Sequence, residues 1–236
     1  SGGFGTVQRP IDDWRIAAWV LNGGVYVQAG VRGGGEYGPQ WHEAGSGRNK
    51  GTAVRDFLSC ARTLIDGGYT RPERMGYLGF SQGGWLVTAA ALKDPSLVAG
   101  VVAMAPVTDL LIEESPWRYP QDPETAKRYA LEFGPLQTPE DVEFRRGLSP
   151  YELAADATNP QAMLIACASD DDNVDTVHAH KLVARLQGRP HDRPVLLLQE
   201  PVGGHQFTDN NLDRHTLYAR VFGFLWHELG MDEGTP

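Results

Sequence analysis

The chain has 236 residues, of which 41% are hydrophobic and 22% are charged, and its formal net charge is −9. This length suits a single α/β domain with a sizeable core. The negative charge argues against a nucleic-acid-binding surface and provides no basic face for a membrane, and no apolar run is long enough to span a bilayer. We therefore expect neither nucleic acid nor membrane among the partners.

The first part of the chain mixes helical and strand patterns. Residues 14–21 predict a short helix, and the β-branched residues of 25–31 predict a buried strand. A glycine-rich loop at 32–38 and an irregular segment at 39–47 follow. Apolar residues then recur at helical spacing from Asn49 until two consecutive glycines end the predicted helix.

From residue 75 onward, strand and helix patterns alternate. Strands are predicted at 75–78, 98–105, 162–168 and 194–198, and helices at 85–92, 175–187 and 212–229. Residues 108–151 differ from this pattern because they are rich in proline, charge and aromatic side chains. We interpret them as an insertion that covers the active-site side of the sheet. Alternating strands and helices predict a mostly parallel sheet with helices on both faces.

One turn in this pattern has the sequence of a nucleophile elbow. Gly79-Phe80-Ser81-Gln82-Gly83 lies between a predicted strand and a predicted helix. In an α/β hydrolase, a serine in this strained turn projects its hydroxyl from the sheet. The glycines let strand and helix approach, and the amide N–H of Gln82 points toward the oxyanion. Taken alone, the motif fits an ordinary strand-to-helix connection equally well.

A base and a carboxylate follow this serine in the order that α/β hydrolases use. The acidic run Asp170 to Asp172 follows the strand at 162–168, and His205 follows the strand at 194–198. Carboxyl ends of parallel strands share one edge of the sheet, so these loops should meet Ser81 there. An acidic loop or a histidine near glycines is ordinary by itself, but the three together in this order predict a Ser-Asp-His triad. The run leaves open which aspartate takes part.

Several motifs together resemble the prolyl oligopeptidase family of serine peptidases. They are Gly2-Gly-Phe-Gly5, Arg32-Gly-Gly-Gly-Glu-Tyr-Gly38, Trp41-His42, Gly68-Tyr-Thr-Arg-Pro-Glu-Arg74, Ser81-Gln-Gly-Gly84, Asp171-Asp-Asn-Val174 and Gly204-His205. The resemblance spans nearly the whole chain and implies an α/β-hydrolase fold. It assigns the nucleophile to Ser81, the base to His205 and the orienting carboxylate to Asp171.

The resemblance also implies binding residues, with departures from the family pattern. A family tyrosine that donates its hydroxyl to the oxyanion stands at Ser1 here, whose side chain is too short to reach. The N–H of Gln82 is the other implied donor. Asn173 replaces an arginine that holds the substrate backbone. Tyr129 and Phe133 match a proline-stacking tryptophan and a pocket tyrosine, although core packing explains both equally well.

These observations predict a serine peptidase acting on short peptides, with cleavage after proline or a small apolar residue. The insertion would supply part of the pocket, through Trp117, Tyr119, Tyr129 and Phe133, while Glu113 and Glu114 could favour a basic side chain. An esterase or isopeptidase using the same triad is an alternative, and Ser1 motivates a second: an inactive fragment or binding module. We expect no metal or organic cofactor. Cys60 and Cys167 are expected in the core and leave the compartment open.

The order of strands leads to an expectation about the rest of the polypeptide. In an α/β hydrolase, a central strand lies between the strands predicted at 25–31 and 75–78. Its absence would leave rows of buried main-chain groups unpaired. We expect residues 1–236 to be the C-terminal part of a longer protein, whose upstream part supplies N-terminal strands and, by family analogy, a β-propeller. In the structure of residues 1–236, we expect another segment to fill the gap beside 25–31 and to pair with both neighbouring strands.

Overall fold

A computed structural model describes residues 1–9, 13–112, 123–207 and 211–231. The strands in these ranges are β1 Gly76–Phe80, β2 Gly100–Met104, β3 Ala162–Ala168 and β4 Val195–Glu200. The helices are α1 Trp14–Leu21, α2 Pro39–Glu43, α3 Gly51–Asp66, α4 Gln82–Lys93, α5 Pro123–Phe133, α6 Pro139–Arg146, α7 Pro150–Leu153, α8 Val177–Gln187 and α9 Asn211–Glu228. Every strand predicted from residue 75 onward is confirmed, with its ends shifted by up to two residues.

The four strands form one parallel sheet in the order β1-β2-β3-β4. Phe80 pairs with Met104, Met104 with Ala166, and Ala166 with Leu198, so the carboxyl ends of all four strands lie along one edge. Helices connect successive strands, as parallel pairing requires. This shared edge is where the loops carrying Ser81, Asp171 and His205 begin.

Alternate residues of the strands face two separate apolar layers. One face, with residues such as Tyr77, Val101 and Ile165, packs against α3, α4 and α8. The other face, with residues such as Val102 and Leu164, packs against α9. Burying an aliphatic side chain of this size stabilises the fold by about 1.5–3 kcal/mol. The sheet is therefore covered on both faces, as an α/β-hydrolase fold requires.

Helix α4 is buried on nearly all sides, because it packs against β1, β2 and α3 together. Alanines fill much of it, which lets the neighbouring elements approach closely. Its largest side chain, Trp85, is fully buried, and the indole N–H donates to the carbonyl of Leu148 at 2.8 Å. The N-terminus of this helix, where Gln82 lies, is thereby fixed at the carboxyl end of β1.

Two predictions for the first fifty residues are wrong. Residues 25–31 form no strand, and the side chains of Val25 and Val27 are 69% and 49% exposed. Within the described ranges β1 pairs with β2 alone, so no neighbouring strand completes a hydrogen-bond ladder for 25–31. The expected filling of that gap by another segment is not seen there. The segment 39–47 is not irregular, since Pro39–Glu43 is a helix with its proline in the first turn.

None of the helices in the described ranges combines the length and apolar character needed to cross a lipid bilayer.

Candidate active site

Three side chains from separate loops form a hydrogen-bonded series at the carboxyl edge of the sheet. Nε2 of His205 lies 3.0 Å from Oγ of Ser81. Nδ1 of His205 lies 2.9 Å and 3.1 Å from the two carboxylate oxygens of Asp171. The side chains of His205 and Asp171 are 12% and 1% exposed. The three residues predicted for the triad are thus within hydrogen-bonding distance, in the order hydroxyl, imidazole, carboxylate.

The backbone at Ser81 has the strained conformation of a nucleophile elbow. Its φ of 55° and ψ of −121° lie in a region that side chains disfavour. A Cβ on Gly79 would lie 2.1 Å from the carbonyl oxygen of Gly83, so strand and helix touch there through main chain. A Cβ on Gly83 would meet only the Cα of Ser1, at 3.9 Å. The predicted need for a small residue therefore holds at 79, whereas 83 has room for a methyl group.

Asp171 is held by main-chain donors as well as by His205. Its Oδ1 accepts the N–H groups of Asn173 and Val174, both at 2.9 Å. Burial acts to raise the pKa of Asp171, but the hydrogen bond from His205 and the N–H of Val174 outweigh it, so the pKa lies below its ordinary value. The carboxylate therefore stays ionised at neutral pH. Asp172 is exposed and makes no hydrogen bond within the described part of the chain.

Asp170 has a separate role from its neighbour. Its carboxylate accepts the N–H groups of Gly204 at 2.8 Å and Gly203 at 3.2 Å, and these bonds lower its pKa. Both glycines have positive φ angles, of 126° at Gly203 and 57° at Gly204. Asp170 thus braces the turn that leads into His205. From the sequence alone, Asp170 could not be distinguished from an ordinary solvent-exposed loop residue.

The oxyanion side of Ser81 is built from glycine main chain. Gln82 opens α4, and the loop Gly2–Gly5 lies against it. A Cβ on Gly3 would lie 1.8 Å from the side-chain nitrogen of Gln82. A Cβ on Gly33 would lie 2.3 Å from the carbonyl oxygen of Gly2, and the Gly5 N–H donates to the Gly33 carbonyl at 3.2 Å. The glycine-rich loop 32–38 therefore supports the wall beside the nucleophile.

Ser1 lies at the same wall but supplies no visible hydrogen bond. Its hydroxyl oxygen is buried and has no partner among the described residues. The main-chain N–H of Gln82, the predicted oxyanion donor, lies at the start of a helix directly after Ser81.

A cavity of about 560 Å³ borders Ser81 and His205. Tyr129 and Asn173 line it, as predicted for substrate-binding residues. Phe133 is fully buried behind Tyr129, with the rings stacked at 5.8 Å, and does not line the wall. The other predicted pocket residues, Trp117, Tyr119, Glu113 and Glu114, lie outside the described residues.

Sequence reasoning missed several residues of this cavity. They include Phe4, His42, Val107, Arg128 and Val174. Nδ1 of His42 lies 2.7 Å from the Gly33 carbonyl and 3.1 Å from the Gly5 nitrogen, so the Trp41-His42 motif was a usable signal. Arg128 is exposed above the ring of Phe4, at 5.3 Å from the ring centroid, and no local pattern marks it.

Comparisons with known proteins identify the family of this chain. The prolyl oligopeptidase family model matches residues 10–232. The prolyl endopeptidase of Dictyostelium discoideum is 31% identical over 86% of this chain and 26% of its own length. The prolyl endopeptidase of Elizabethkingia miricola is 32% identical over 98% of this chain and 32% of its own length.

Solved structures give the same result. A structure from a study of two prolyl endopeptidases matches with a TM-score of 0.89 and 33% identity, over 97% of this chain and 33% of that one. A post-proline cleaving enzyme from Rickettsia typhi matches with a TM-score of 0.84 and 27% identity, over 97% of this chain and 32% of that one. This chain therefore spans about a quarter to a third of the length of these relatives. It belongs to the prolyl oligopeptidase family.

Proposed function

We propose that this chain is the catalytic domain of a serine peptidase that hydrolyses short peptides. Ser81 is the nucleophile, His205 the general base and Asp171 the residue that orients the imidazole. The proposal is carried by one observation, the series in which 3.0 Å separates Ser81 Oγ from His205 Nε2 and 2.9 Å separates His205 Nδ1 from Asp171 Oδ2. At these distances the imidazole can take the hydroxyl proton as the oxygen attacks.

The reaction would proceed through an acyl-enzyme. Oγ of Ser81 bonds to the scissile carbonyl carbon while its proton passes to Nε2 of His205, and the resulting oxyanion accepts the N–H of Gln82. The C–N bond then breaks as Nε2 returns the proton to the leaving amine. Water, deprotonated by the same nitrogen, then attacks the acyl carbon, the C–O bond to Ser81 breaks, and Oγ regains the proton from Nε2. Throughout, the ionised Asp171 stabilises the imidazolium.

For the residue at the cleaved bond, we propose proline or a small apolar side chain. The cavity walls beside Ser81 include Phe4, Val107, Tyr129 and Val174, which offer apolar and aromatic surface. Relatives described as prolyl endopeptidases are consistent with this choice. Asn173, at the edge of the cavity, would bond the substrate main chain. A clear preference for cleavage after Arg or Lys would exclude this specificity.

The test is a peptide-library cleavage profile of the wild type and of Ser81→Ala. We expect peptide-amide cleavage that Ser81→Ala abolishes, together with fluorophosphonate labelling that the same variant loses. Hydrolysis of aryl esters without cleavage of peptide amides would instead indicate an esterase. Absence of labelling in a folded wild type would indicate a binding module.

We also propose that the full polypeptide carries an upstream β-propeller that restricts access to short peptides, and upstream strands that complete the sheet. In the part of the chain that the structure describes, the outer edge of β1 has no partner strand and Val25 and Val27 are exposed, and both observations support the second part. Hydrogen exchange on the full-length protein tests it. We expect slow exchange for the amides of 25–31 and of β1 if a strand lies between them, and fast exchange at 25–31 would contradict it.

A further inference from the structure

A fully buried ion pair lies behind the oxyanion side of the site. Lys50 donates to the carboxylate of Glu132, and the two side chains are 0% and 2% exposed. Lys50 directly precedes α3, whereas Glu132 lies in α5, 82 residues away in sequence. The aromatic rings of Trp85 and Phe133 enclose the lysine, with centroids 4.9 and 5.1 Å from Nζ. No step of the proposed reaction uses either charge.

Within the described residues, every further hydrogen bond of these two side chains goes to the wall beside Ser81. Oε2 of Glu132 accepts the N–H of Phe4 at 2.9 Å, and Oε1 accepts the side-chain amide of Gln82 at 3.2 Å. Nζ of Lys50 donates to the carbonyl of Gly2 at 2.9 Å. The pair therefore fixes both ends of the turn Gly2–Phe4 and the side chain of Gln82, whose main-chain N–H is the proposed oxyanion donor.

Stability does not account for this arrangement. Removing two charges from water is costly, and apolar replacements of buried ion pairs are often neutral or stabilising. Burial lowers the pKa of Lys50 to about 8, although the Glu132 carboxylate opposes that shift. The protein thus keeps a charged lysine where desolvation disfavours it, which indicates a role other than holding the fold together.

We propose that Lys50 and Glu132 are positioning residues for the oxyanion step, which hold the Gly2–Phe4 turn and Gln82 so that the Gln82 N–H stays aimed at the developing oxyanion. This inference rests on the proposed peptidase function. The alignment of the Gln82 N–H matters more here because the short side chain of Ser1 cannot donate a second hydrogen bond to the oxyanion. Loss of one oxyanion donor lowers turnover by about 100- to 1000-fold, so misalignment of this donor should cost part of that factor.

The main variant is Lys50→Met/Glu132→Gln, which removes both charges and keeps the volume. Gln at 132 can still accept the Phe4 N–H, while the tie from Lys50 to Gly2 is lost. We expect kcat on a peptide substrate to fall by about 10- to 100-fold with KM changed less than about threefold. Lys181→Met/Asp109→Asn is the matched control, because it likewise removes both charges of an ion pair, and Lys181 contacts neither the turn nor Gln82. Its kcat should stay within about twofold of wild type.

A second measurement separates positioning from a general structural defect. A peptidyl aldehyde forms a reversible hemiacetal with the serine, whose oxygen occupies the oxyanion position, whereas the product peptide forms no such bond. In the double variant we expect the aldehyde to bind more weakly by the same factor as kcat/KM falls, with product binding unchanged. A merely structural defect would weaken both ligands alike and would overturn the proposal.

Two measurements that need no activity complete the test. The amides of residues 2–5 should exchange at least about tenfold faster in the double variant than in wild type. The urea midpoint of the double variant should stay close to that of wild type. If wild-type turnover depends on Ser81 but kcat is unchanged in the double variant, the positioning role is overturned and the proposed function stands. Wild-type protein without Ser81-dependent turnover would overturn the proposed function and this inference with it.

Discussion

The two sides of Ser81 are held in place by different physical means. On the acid–base side, Asp171 lies on the loop after β3 and His205 on the loop after β4, and main-chain N–H groups donate to carboxylates there. On the oxyanion side, glycine main chain packs against Gln82, and the ion pair of Lys50 and Glu132 lies fully buried behind it. One side is held by main-chain N–H groups that donate to carboxylates, and the other by a buried pair of opposite charges.

This difference predicts how each side responds to change. On the acid–base side, a substitution of Asp171 or Asp170 acts on His205, either directly or through the turn before it. A buried pair that joins distant segments has no water to replace a lost partner, so its loss displaces every group it contacts. Substitutions on the acid–base side should therefore lower turnover with little loss of stability, whereas substitutions of the buried pair should lower turnover and change how stability depends on pH.

The largest effect is expected from Asp171→Asn, which tests the acid–base side. The amide cannot stabilise the imidazolium and favours the wrong tautomer of His205, so kcat should fall by about 10³- to 10⁴-fold with the fold intact. Steady-state kinetics and thermal unfolding measure the two effects. Asp172→Asn is the matched control and should stay within about twofold, because Asp172 is exposed. If Asp172→Asn instead lowered kcat as much as Asp171→Asn, the assignment of the orienting carboxylate to Asp171 would be wrong.

A smaller effect on stability is expected from the pH dependence of the oxyanion side. Lys50 has a pKa of about 8 in the folded chain, against 10.5 as its ordinary value. Between these values the unfolded chain binds more protons than the folded one, so rising pH favours folding. The free energy of unfolding of wild type should therefore rise relative to Lys50→Met/Glu132→Gln from pH 8 to 10.5, by at most about 3 kcal/mol. Urea titrations at several pH values measure it, and a flat difference would contradict the lowered pKa.

The smallest effect should come from Asp170→Ala, which loosens the turn before His205. The variant loses the acceptors for the Gly203 and Gly204 N–H groups, but water can replace them at this exposed position. We expect kcat to fall by about three- to tenfold, with Asp170→Asn milder because its amide oxygen still accepts one bond. A loss as large as that of Asp171→Asn would mean that both aspartates orient the imidazole.

The sequence was most informative about the acid–base side and the sheet. Four apolar runs after residue 75 are strands in the structure, and the loops that follow three of them carry Ser81, Asp171 and His205. Chain order and loop position suffice to bring these side chains together, because parallel strands end at a common edge. That they catalyse remains a prediction.

Two other features could not be predicted, because tertiary contacts decide them. Residues 25–31 have the composition of a strand, yet composition reports only a fit to a pleated surface and not the presence of a neighbour. Lys50 and Glu132 look like ordinary charged residues of solvent-facing positions. Only the fold shows that they are buried together, since no local spacing relates two residues that are 82 positions apart.

The strained backbone at Ser81 lowers the stability of the fold at the residue that the proposed activity requires. A side chain at φ 55° and ψ −121° costs on the order of 1–3 kcal/mol, a strain that a glycine would relieve. Two neighbours of the site, Ala105 and Phe207, also have positive φ angles, of 44° and 71°. A variant library selected for stability alone should therefore enrich glycine at position 81, at the expense of the proposed nucleophile.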